Sequence, residues 1–72
     1  MDIDTALAVV RAATTRETSA LQAYLDAFDR YYVHGDTSPE SWTAMKAAES
    51  EKRKARIART KADKAFKALV RR

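Results

Sequence analysis

The 72-residue chain contains one glycine and one proline, and these lie within five positions of each other, at Gly35 and Pro39. Glycine admits left-handed backbone and proline interrupts helical hydrogen bonding, so the pair marks the one place where this chain is built to turn. On both sides the sequence is dominated by Ala, Leu, Lys, Arg and Glu, the strongest helix formers. The direct expectation is an all-α chain of two helices and one turn, forming one domain over residues 1–72.

A chain of this length buries only about 60% of its unfolded surface, which leaves its core marginal. Disulfides, a structural metal or oligomerisation are the usual remedies. There is no cysteine, and the single His34 cannot build a zinc site alone. Oligomerisation is the remedy that remains, and neither a metal nor a cofactor is expected.

The first helix is expected over about residues 4–33, capped by Asp2 or Asp4. Its apolar positions Ile3, Leu7, Val10, Leu21, Tyr24, Phe28 and Tyr31 recur in steps of four and three, with Thr14 and Glu17 filling the same steps in the middle. This spacing reads as a heptad seam with a polar centre. Thr14 and Glu17 also match a capping box. The hydrophobic phase does not slip across them, which favours one continuous helix. Gly35 is the natural C-cap in a turn over 34–38. Ser38 caps the second helix with Pro39 at its first position, and that helix runs over about 39–71 without an internal breaker.

In the second helix Ala44, Ala47, Ala48, Ala55, Ala58, Ala62, Ala65, Phe66 and Leu69 fall in a sector of about 100° at 100° per residue. Basic residues lie opposite. The short turn makes the helices antiparallel neighbours in a coiled-coil-like hairpin. Phe28 is expected near Trp42 and Met45, and Glu17 opposite Lys52 and Arg56. The narrow alanine seam cannot cover the wider apolar face of the first helix. A homodimer forming a four-helix bundle follows, with Leu21, Tyr24, Leu25, Phe28, Tyr31, Tyr32 and Trp42 as the dimer or partner interface.

Charge divides the chain just inside the second helix. Residues 1–45 carry seven acidic and three basic side chains, and residues 46–72 carry eleven basic and three acidic. A cationic helix of this length meets a polyanion, an acidic protein face or solvent. Contact with nucleic acid would be non-specific, through phosphates, with Lys52, Arg53, Arg56, Arg59, Lys64 and Lys67 as the candidate residues. Base-specific readout is poorly served: the second helix starts Pro39-Glu40-Ser41-Trp42, acidic where a groove-reading helix presents donors. Phe66 is the only aromatic in the basic half, and it lies on the apolar face, so base stacking is not expected there.

Two other readings stand beside this one. In the first, an adaptor or inhibitor of the phage or plasmid type docks on a protein, through the aromatic turn end or through the basic face on an acidic surface. In the second, the chain is a structural coiled-coil spacer. Enzymatic chemistry is not expected, because no nucleophile–base set, carboxylate cluster or glycine-rich phosphate loop is present. His34 beside the helix end serves the helix dipole. Membrane binding is not expected either, since an alanine face buries too little area in lipid. Met1-Asp2-Ile3-Asp4 is not a basic leader and the apolar run 6–10 is short, so a cytoplasmic location is the expectation.

Overall fold

The structure, a computed structural model, describes residues 2–71. Helix α1 spans Ile3–Phe28 and passes directly into a π-helical turn, Asp29–Val33. Helix α2 spans Pro39–Val70. The helices pack against each other along their length as a rod of 52 × 14 × 13 Å.

The helix ends follow from local chemistry. Asp2 caps α1, its carboxylate accepting from the Thr5 N–H at 2.7 Å. These hydrogen bonds hold the Asp2 carboxyl below its usual pKa. Ser38 caps α2 by accepting from the Ser41 N–H at 3.2 Å, with Pro39 at the first helical turn. The Asp36 carboxylate braces this start, accepting from the Ser41 hydroxyl at 2.6 Å and the Ser38 N–H at 3.3 Å. The Ser41 bond, then the Ser38 bonds, lower the Asp36 pKa.

Helix α1 is continuous through its threonines, as the unbroken phase predicts. The hydroxyls of Thr14 and Thr18 donate to the carbonyls of Val10 and Thr14 at 2.8 and 3.0 Å. This back-bonding one turn upstream lets threonine sit inside a helix. The end of α1 differs from a simple glycine cap. The His34 N–H reaches the Asp29 carbonyl at 2.8 Å and the Asp36 N–H reaches Arg30 at 3.0 Å. Each closure spans one residue more than in a glycine-capped α-helix. Gly35, at φ +74°, supplies the left-handed step.

The seam between the helices is where the sequence reading needs correction. On α1 the buried residues are Ala6, Ala13 and Ala20, seven apart, with Val10 and Glu17 half-buried between them and Tyr24, Ala27 and, in the π turn, Tyr31 half-buried beyond. On α2, Ser41, Met45, Ala55 and Ala62 are buried, and Ala48, Lys52, Arg59, Phe66 and Leu69 half-buried. Both lines run in alternating steps of four and three. Of the expected α1 line, Val10, Glu17, Tyr24 and Tyr31 face the seam and Leu7 is half-buried, whereas Ile3, Leu21 and Phe28 are turned aside by about 50°. Leu21 stays 45% exposed and Phe28 37% exposed. Where alanine lines both helices, at Ala13 and Ala20 on α1 and Ala55 and Ala62 on α2, the two backbones can approach closely. Leucine facing alanine would hold the axes apart and leave voids. On α2 the expected alanine face is likewise narrower, because Ala44, Ala47 and Ala65 remain exposed.

Candidate nucleic-acid interface

The six basic residues singled out from sequence separate into three environments. Two are drawn into the seam. Arg59 lies 3.2 Å from the Glu17 carboxylate, close enough for an ion pair but not aligned as a hydrogen bond. The Lys52 ammonium lies over the Tyr24 ring, 4.2 Å from its centroid, a cation–π contact. The expected pairing of Glu17 with Lys52 and Arg56 is thus shifted along α2, and Glu17 takes Arg59.

Arg56 is exposed and lines one side of a groove of about 540 Å³ between the helices. Lys52 and Arg59 line it from α2, and Glu17, Leu21 and Tyr24 from α1. At its rim Arg53 bonds Glu49 at 3.1 Å, an i, i+4 pair on α2. Lys46 shares the same carboxylate at 3.5 Å. Asp63 and Lys67, also four apart on α2, form no ion pair among the described residues, where Asp63 is half-buried and Lys67 is exposed.

The remaining three lie on the outer side of α2. Arg53, Lys64 and Lys67 are exposed, and Lys46 and Arg71 join them. At 100° per residue these five fall within a sector of about 60°. The stripe runs from Lys46 to Arg71, about 37 Å at 1.5 Å per residue. Among the described residues, Lys64, Lys67 and Arg71 have no carboxylate within ion-pair distance. The sequence reading left Lys46 and Arg71 out of its candidates. Their shared phase with Arg53 and Lys64 was the signal available.

The opposite edge of the hairpin is closed by Arg16, whose Nε donates to Glu51 at 2.8 Å. Both side chains are about half exposed. This bond, chiefly, raises the Arg16 pKa and lowers that of Glu51.

The aromatic residues at the turn end form a continuous chain. Ring centroids are 6.1 Å apart for Tyr24–Phe28, 4.6 Å for Phe28–Tyr32, 4.9 Å for Tyr31–Tyr32 and 5.2 Å for Tyr31–Trp42. Lys52 caps the chain at Tyr24, and Lys46 caps it at Trp42, 5.5 Å from the ring centroid. Tyr24 and Tyr31 serve the seam, whereas Phe28, Tyr32 and Trp42 keep large exposed surfaces, as do Leu21 and Leu25.

No group of three or more His, Asp or Glu among the described residues could hold a metal ion. No helix among them is long and apolar enough to cross a membrane. Neither a protein-family model, a curated protein nor a solved structure matches this chain.

Proposed function

We propose that this is a small, non-enzymatic binding protein that pairs with a second copy and contacts the phosphate backbone of nucleic acid through the outer face of α2. The observation that supports the reading is the stripe of Lys46, Arg53, Lys64, Lys67 and Arg71, exposed in one narrow sector. A straight cationic stripe of this length neutralises successive phosphates and releases their counterions, giving affinity without sequence preference. Lys52 and Arg59 contribute through the fold, holding the seam that keeps α2 straight.

The test is a gel shift with random-sequence duplexes at 150 mM salt. A shift below about 100 µM protein, the weak end of ordinary non-specific binding, is expected. Lys64→Glu should cut the affinity. Arg11→Glu, the same charge change on the exposed part of α1, should leave it far less altered. Equal losses in the two variants would reduce the stripe to a net-charge effect. No shift at all would favour the protein-docking reading, which the exposed Phe28, Tyr32 and Trp42 support.

A further inference from the structure

The core of the hairpin is thin. Among the described residues the buried apolar ones are Ala6, Ala13, Ala20, Met45, Ala55 and Ala62, and no large side chain is fully buried. The larger apolar side chains of α1 instead form a second line beside the seam: Ile3, Leu21, Leu25, Phe28 and Tyr32, each between 37% and 57% exposed. Leu21 and Arg56 line the same groove, so this line and the Arg56 edge of α2 share one long side of the rod.

A side 52 Å long and 14 Å wide offers on the order of 700 Å², close to the ~800 Å² that each partner contributes to a standard stable interface. A second copy can cover it by a two-fold operation in only two ways. With the axis across the rod, the turns lie at opposite ends, α1 faces its equivalent and α2 faces its equivalent. With the axis along the rod, the turns lie at the same end and each α1 faces the other copy's α2.

Two observations decide between them. Residues 39–70 carry nine basic and four acidic side chains, and residues 3–33 four acidic and three basic. The crossed arrangement sets two strongly cationic helices together, with Arg56 and the half-buried Lys52 and Arg59 of both copies near its centre. The parallel axis sets each cationic helix against the mildly acidic one. It also brings like layers together: Phe28, Tyr32 and Trp42 of both copies meet at the turn end, Ile3 and Val70 of both at the open end.

We infer that two copies pair through this side with the two-fold axis along the rod and both turns at the same end. The bundle then has antiparallel neighbours of unlike charge throughout. The inference rests on the dimer reading above and adds its geometry. It leaves Lys64 and Arg71 of both copies facing outward, with Arg53 at the rim of the covered groove.

The chain has no cysteine, so one introduced thiol can be labelled cleanly. Thr37→Cys, in the exposed turn, carries a nitroxide, and the distance between labels is read by electron spin resonance alongside analytical ultracentrifugation. The inference expects labels one to two helix spacings apart, about 10–20 Å. A second label, at Ala68→Cys near the open end, should likewise report a short separation. A dimer with Thr37 labels separated by nearly the 52 Å rod length would overturn the arrangement while sparing the dimer. A monomer at about 100 µM, where a weak dimer still forms, would overturn both.

Discussion

Ala55 has no exposed surface and lies in the small-residue seam, so Ala55→Leu is the sharpest test of how the helices meet. Leucine and alanine have similar helix propensities, so α2 itself is almost indifferent to the change. The added carbons must instead enter a rod only 13–14 Å across, between backbones that alanine holds close. Overpacking of this kind costs about 1–3 kcal/mol. For a domain of this size that corresponds to a fall in melting temperature of about 5–20 °C. Ala47→Leu, the same change at an exposed position of the same helix, is the control and should shift the midpoint little. The assay is thermal unfolding followed by circular dichroism, with both variants at one protein concentration, because the proposed pairing would make the midpoint concentration-dependent. Equal melting of the two variants would refute the alanine seam and restore the leucine line as the contact between α1 and α2.

Three further outcomes follow from the geometry. Glu17→Leu should change stability by no more than about 1 kcal/mol, since the Arg59 side chain is 41% exposed and can reach solvent without its partner; a loss above about 3 kcal/mol would mean that the pair is an essential buried one. Gly35→Ala should cost about 1–2 kcal/mol, all of it from the left-handed backbone, because a Cβ there meets nothing within 4 Å; a much larger loss in urea titrations would point to a steric role instead. The Asp36 carboxyl, lowered chiefly by the Ser41 hydroxyl bond, stabilises the fold above the unfolded-state value of about 3.9 and loses that effect as pH falls through its lower folded value. Asp36→Asn should therefore melt below the parent at pH 7 and converge with it below about pH 4, and a gap that persists in acid would contradict this.

The architecture was legible because its punctuation is unusually sparse. Gly35, Ser38 and Pro39 locate the turn from sequence, and the unbroken phase across Thr14 and Thr18 implies the continuous α1 that is found. The seam was harder to read. Heptad reasoning follows the largest apolar residues, which placed Val10, Tyr24 and Tyr31 at the seam where they lie but added the exposed Leu21 and Phe28 and passed over Ala6, Ala13 and Ala20. Alanine carries little hydrophobic signal of its own. Its value here lies in the distance it permits, which depends on the facing helix and is invisible in one helix alone. The same rotation explains why Arg59, read as a surface cation, reaches into the seam, and why Glu17 finds Arg59 rather than the expected Lys52 and Arg56. The π turn at Asp29–Val33 has no local sequence signature, so its widened closure on Asp29 and Arg30 could not be anticipated. The basic stripe was visible as a periodicity, but only the direction of the seam separates its outward members from its inward ones.

Whether the outer stripe of α2 follows phosphates is decided by the salt dependence of binding to a generic duplex. Fluorescence anisotropy with a labelled random-sequence DNA, titrated across a series of salt concentrations, gives log K against log salt. Four to five stripe residues facing one duplex predict a slope of about −4, at roughly −0.9 for each phosphate neutralised on B-DNA. The double variant Lys64→Glu, Lys67→Glu should lose measurable binding over the same range. A slope near zero, or a steep slope that the double variant leaves unchanged, would contradict the claim.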